Sequence, residues 1–167
     1  MRNSKSRGAV LAAFAALCML LTACGNGTSS SEGAQSEVQT TTDSSAATYQ
    51  QITQEKAKEM ILDPNNVVYY SAVSVWEISI KHANHPDNVE FTGRELSQFC
   101  QDAGFLPVEM RDKHVLALET ITRAAGAPPH HDPFDRMLIA QAKAENMSLI
   151  THDSLLPYYE EKCIIQV

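Results

Sequence analysis

Three short stretches of this chain bring carboxylates to places where chemistry can be done. His130-His131-Asp132-Pro133-Phe134-Asp135-Arg136-Met137-Leu138-Ile139-Ala140-Gln141-Ala142 sets two aspartates around Pro133 at the mouth of an apolar helix. The apolar run Met147-Ser148-Leu149-Ile150 ends at Thr151-His152-Asp153. Ser71-Ala72-Val73-Ser74-Val75-Trp76-Glu77-Ile78 places Glu77 just past a β-like run. Carboxylates at points where strands hand over to helices are how an α/β fold gathers an oxygen-rich site for Mg²⁺ or Mn²⁺.

Each of these residues also has a purely structural reading. Ser74-Val75-Trp76-Glu77 fits a capping box, in which Glu77 bonds back to a helix-start amide. Asp132-Pro133 is an N-cap followed by proline at the first helical position, with Asp135 at the third. Asp153, ahead of Ser154-Leu155-Leu156, can open a last helix in the same way. Singly, the structural reading is favoured; the shared position at strand-to-helix junctions is what joins them into one candidate site. A metal set of His130, His131 and His152 is the weaker alternative, because adjacent side chains point apart and histidines near a helix start are expected in solvent. No Cys/His spacing points to zinc.

The elements that must position these residues alternate. The sequence predicts helices over 54–62, 74–82, 94–102, 112–123 and 133–145, and strands over 67–70, 105–108, 147–150 and 163–167. Asp63-Pro64 and Gly126-Ala127-Pro128-Pro129 break the pattern. Val115, Leu116, Leu118 and Ile121 are expected to form the apolar side of the 112–123 helix. Alternating strands and helices mean an α/β fold with a mainly parallel sheet flanked by helices.

The first part of the chain has another character. Arg2, Lys5 and Arg7 precede an apolar run, Ala9 to Leu21, and then Leu21-Thr22-Ala23-Cys24. Residues 1–24 therefore read as a bacterial lipoprotein signal with Cys24 as the lipidated residue, placing the protein at the membrane, outside the cytoplasm. Residues 25–48, rich in Ser and Thr, read as a disordered linker. Residues 49–167 suffice for one domain. Cys100 and Cys163 in that part are expected as separate thiols.

The strings Ser71 to Lys81 and His131 to Ala142, supported by Thr151 to Asp153, resemble PIN-domain ribonucleases of the VapC toxin type. The resemblance covers roughly residues 52–167. It implies a metal-dependent endoribonuclease that uses Mg²⁺ or Mn²⁺, with Glu77, Asp135 and Asp153 as catalytic and metal-binding residues. It implies Asp132 as a helix cap, and Arg136 at a phosphate or at the surface. RNA, a cognate antitoxin and a second copy of the chain are the partners it implies. Such domains begin with a hydrophobic strand ending in aspartate, followed by a helix. Here the match begins at the second helix, so the first strand, its aspartate and the first helix are expected to be missing, and with them most of the stability and activity.

Thirteen Lys and Arg against twenty Asp and Glu give a net charge of −7. Arg2, Lys5 and Arg7 are matched by Glu32, Glu37 and Asp43, so the whole excess falls in 49–167. This argues against non-specific nucleic-acid binding through the protein's own field, while leaving room for a nuclease bridged to its substrate by a cation. The export signal conflicts with a toxin that cuts cytosolic RNA. A chimera of a lipoprotein N-terminus and a truncated PIN-like domain accounts for both conflicts; in that case the domain itself belongs in the cytoplasm. The alternative function is non-enzymatic: a membrane-anchored lipoprotein whose PIN remnant binds a partner or does nothing.

Overall fold

The computed structural model describes residues 8–12 and 49–167. Six strands form one parallel sheet: β1 (Gly8–Ala12), β2 (Gln50–Gln51), β3 (Asn66–Ser71), β4 (Leu106–Val108), β5 (Ser148–Thr151) and β6 (Ile164–Gln166), in the spatial order β2-β6-β5-β1-β3-β4. Five helices accompany them among the described residues: α1 (Gln54–Leu62), α2 (Ala72–Asn84), α3 (Gly93–Asp102), α4 (Asp112–Ala117) and α5 (Pro133–Glu145). The expected α/β class with a parallel sheet is what the chain adopts.

The central strand is not missing. Gly8–Ala12 lies between β3 and β5, with Leu11 opposite Tyr69 on one side and Leu149 on the other. Its residues divide between the two layers of the core. Leu11 packs with Val73, Leu138, Ile139 and Leu149, whereas Val10 and Ala12 pack with Ala57, Ile61, Val68 and Ile165. All three are 2% exposed or less. The physical reason for the difference is that a parallel strand buried on both faces needs a continuous apolar run. Such a run has no period of its own to separate it from the core of an export signal. The helix expected to be missing with this strand, the linker and Cys24 all lie outside the described residues.

Local sequence signals set most other boundaries. Thr53 caps α1 by accepting from the Lys56 N–H (3.3 Å). Thr92 and Glu95 close a reciprocal capping box on α3, with bonds of 2.8 and 3.2 Å. Asn146 ends α5 in the left-handed conformation (φ 54°). Gly93 lets α3 approach α2, because a Cβ there would lie 2.6 Å from the Val75 carbonyl oxygen.

The 112–123 segment departs from expectation. Its α-helix stops at Ala117 and tightens into a 3₁₀ turn, Leu118–Thr120, before the chain extends to a bridge between Arg123 and Tyr159. The helix is anchored by a buried polar residue instead of an apolar stripe. His114, fully buried, accepts from the Arg111 N–H at Nδ1 (3.1 Å) and meets Glu145 at Nε2 (2.7 Å). Val115 and Leu116 point outward, at 46% and 61% exposure. Cys100 and Cys163 are separate free thiols, as expected.

Candidate functional site

β3 and β5 hand their chain over at the same edge of the sheet, and the candidate carboxylates follow. Asp132 begins α5. Its side chain accepts from the N–H groups of Phe134 (2.8 Å) and Asp135 (3.3 Å), with Pro133 following, so the capping role expected for Asp132 is the one it plays. Asp135, in the first turn, points its carboxylate away from the cap. His130 Nε2 lies 3.2 Å from its Oδ2. Asp153 follows β5 directly; its N–H donates to Thr151 Oγ1 (3.1 Å) and its Oδ1 accepts from the Leu155 N–H (2.6 Å). That bond starts a turn leading to the 3₁₀ segment Leu156–Tyr158, where a last helix was the expectation.

One ligand atom from each of His130, Asp135 and Asp153 lies within 4.8 Å of the others. Two donors on opposite sides of a Mg²⁺-sized ion at about 2.1 Å are roughly 4.2 Å apart. The spacing of the trio is therefore of the size that one cation requires. Two carboxylates and an imidazole suit Mn²⁺ better than Mg²⁺, which prefers oxygen alone.

Glu77 stands apart from the trio. It is buried on α2 and paired with Lys81 one turn on. The capping reading of Glu77 does not hold: α2 starts at Ala72, the cap is Ser71, which accepts from the Val73 N–H (2.9 Å), and Ser74 Oγ is buried without a partner. The strand ran one residue further and the helix began two residues sooner than the sequence suggested. Glu77 is left in the second turn, paired with Lys81, where its charge still acts on Asp135.

The electrostatics fit a cation site. Burial first, then the charges of Asp132, Asp153 and Glu77, push the Asp135 carboxyl up to about 7, against only a partial offset from Lys81. The Lys81 ammonium is held above its ordinary value, chiefly by its hydrogen bond to Glu77, with Asp132 and Asp135 adding to it. Carboxylates crowded enough to keep a proton are ones that a divalent ion would relieve.

A family model for the PIN domain matches residues 42–162. The chain belongs to the PIN-domain family. No curated protein matches the sequence. PIN membership carries with it a nuclease type of function and a general use of divalent metals, and His130, Asp135 and Asp153 are the candidate ligands among the described residues. The match begins after β1, so the central strand of this PIN domain comes from outside the matched segment. β1 ends at Ala12 and the sequence continues Ala13-Phe14-Ala15. The strand expected to be missing is present, and the three residues that follow it in sequence carry no carboxylate.

Of the three histidines weighed as a metal set, only His130 enters the site. It is 6% exposed, not solvated, and its Nδ1 lies 2.9 Å from the hydroxyl of Tyr159. His131 is exposed, and His152 is exposed and bonded to the Val167 oxygen (2.7 Å). Tyr159 was not foreseen. It is 1% exposed, and the Arg123 guanidinium lies 4.8 Å from its ring centroid. The Arg123–Tyr159 bridge carries this ring under the 130s loop, a long-range pairing without a local signal. Arg136 is exposed on α5.

Proposed function

We propose that this PIN domain is a metal-dependent endoribonuclease of the VapC toxin type, weakened by the absence of a carboxylate at the end of β1. The observation that carries the reading is the convergence of His130, Asp135 and Asp153 beside the buried Glu77. Asp135 and Asp153 would hold Mn²⁺ or Mg²⁺, with His130 as a third donor and Glu77 joining through water or after release from Lys81. The ion, when bound, would supply a lowered pKa for water and positive charge at a scissile phosphate. The chain's own residues do the rest. Tyr159 holds the His130 ring in place, the Asp132 cap fixes the first turn of α5, and the Thr151 hydroxyl fixes the start of the Asp153 turn. With three negative neighbours around Asp135, RNA phosphate approaches only when a cation is present.

Cys24 lipidation and a membrane-attached, extracytoplasmic location belong to the same proposal. They rest on the sequence of residues 1–24, and no helix among the described residues is long and apolar enough to cross a membrane. A cognate antitoxin and a second copy of the chain are the protein partners. The non-enzymatic reading, a lipoprotein with a PIN remnant, has one observation in its favour: Lys81 already neutralises Glu77. Mn²⁺ titration followed by cleavage of a mixed RNA substrate separates the two. The nuclease reading expects saturable Mn²⁺ binding and slow cleavage, both lost in Asp135→Asn. Absence of Mn²⁺ binding by the folded chain would sink it.

A further inference from the structure

Gly8–Ala12 carries two sets of demands that one conformation cannot meet. As a strand, its backbone pairs with β3 on one side and β5 on the other, and Leu11 has no exposed surface at all. As the start of the apolar run behind Arg2, Lys5 and Arg7, it would have to enter a lipid phase. There each backbone N–H and C=O must be satisfied within the segment itself, which means a helix. A segment bonded to β3 and β5 cannot be inserted, and an inserted segment cannot be bonded to them.

We infer that Gly8–Ala12 is a central strand that export takes away: insertion of the N-terminus into the bilayer withdraws it from the sheet, processing before Cys24 makes the loss permanent, and the PIN domain is dismantled. The inference rests on the export reading of residues 1–24. The sheet tells what is lost. β3 leads through Ser71 to α2 and Glu77, and β5 leads to Asp153. Among the described residues, β1 is the strand that joins one to the other, since the order runs β5-β1-β3. Leu11 is also part of the surface on which Leu138 and Ile139 seat α5, the helix bearing Asp135. Withdrawal of five residues therefore separates Glu77 from Asp153 and unseats Asp135 in one event. The chain holds its carboxylates together before insertion and not after it.

Two substitutions separate folding from export. Leu11→Trp keeps the run apolar but overfills a position with no free space. Gly8→Val also adds apolar carbon, and places a Cβ 2.4 Å from Asn66 Oδ1, a side chain held by the Met60 carbonyl (2.8 Å). The experiment is bacterial expression of the full chain and both variants. Membrane and soluble fractions are collected, and hydrogen exchange is followed at the amides of Val67–Ser71 and Leu149–Thr151. The expected result is protection of both strands in soluble, unprocessed chains and exchange faster by about 100-fold or more in membrane-attached chains, as for residues that have lost their cooperative unit. The two variants should lose protection in the soluble fraction while attaching to membranes as the parent does. Protected β3 and β5 amides in the membrane-attached parent chain would overturn the exchange of the strand. Failure of the parent chain to reach the membrane would overturn the export reading, and this inference with it. Neither readout depends on ribonuclease activity.

Discussion

The imidazole of His130 is shared between Tyr159 and Asp135, at 2.9 Å from the phenol and 3.2 Å from the carboxylate. For Nε2 to ligate a cation it must keep its lone pair, so Nδ1 then carries the proton and donates it to the Tyr159 oxygen. The ring of His130 is thus oriented by a residue that bears no carboxylate itself.

Tyr159→Phe tests that arrangement. The ring and its stacking with Arg123 remain, and one hydrogen bond goes. Stability should fall by only about 1 kcal/mol. Mn²⁺ affinity should fall by about 10-fold or more, the usual effect of losing an outer partner of a ligating histidine. Calorimetric titration with Mn²⁺ measures it, and an unchanged affinity would show that His130 is not a ligand.

Asp135→Asn should stabilise the metal-free protein at neutral and higher pH. The folded carboxyl titrates at about 7, above its ordinary range near 3.8. A raised carboxyl favours the folded state while protonated and loses that contribution as pH climbs from about 4 through 7. Metal-free parent protein should therefore lose stability over that window, and Asp135→Asn should lose much less. At pH 8 the variant should be the more stable by on the order of 2 kcal/mol, allowing for solvent screening of a side chain 21% exposed. Thermal melts in chelator across pH 4–8 supply the comparison, a range fixed by the two titration limits. Saturating Mn²⁺ should reverse the order, because only the parent can bind it.

Asp132→Ala and Asp153→Ala should fail in different ways. Loss of the α5 cap should cost about 1 kcal/mol and leave Mn²⁺ binding in place. Loss of Asp153 removes a donor from the trio and should abolish binding at micromolar metal. Equal loss of binding in the two would mean that Asp132 is more than a cap, and retained binding in both would mean that Asp153 does not face the ion.

Leu11→Ala should cost about 2–5 kcal/mol, the range for emptying a fully buried leucine position. Leu116→Ala, at a position 61% exposed, should stay within about 0.5 kcal/mol of the parent. Urea unfolding of the soluble full chain gives both values. A negligible cost at Leu11 would mean that the sheet does not rely on β1.

Much of the fold was legible in local sequence. The boundaries of α1 and α5 follow the expected ones because Thr53, Asp132-Pro133 and Asn146 are strong punctuation. The fold class followed from alternation alone. What was not legible depended on partners far along the chain. Val10, Leu11 and Ala12 form a strand because β3 and β5 leave a slot between them, which no window around residue 10 reveals. The helix after Asp112 ends early because Arg123 must reach Tyr159. In the site, Glu77 was legible through the family resemblance, while its neighbouring residues alone suggested a cap, because one extra strand residue moved the helix start. His130 was visible but assigned to solvent, because its burial comes from Tyr159, nearly thirty positions later.

Val10 pairs with Ser148 across the middle of the sheet. The two residues stand far apart along the chain, and synthesis must run from one to the other before they can pair. The closing of this sheet is a late event, slowed by the distance between its central partners along the polymer. While the ribosome works, the N-terminal segment waits first for β3 and then, much longer, for β5, and any receptor for an emerging apolar segment meets it before either. Which fate the segment takes is set by a race, in which translation speed and early capture weigh as heavily as the stability of the finished fold.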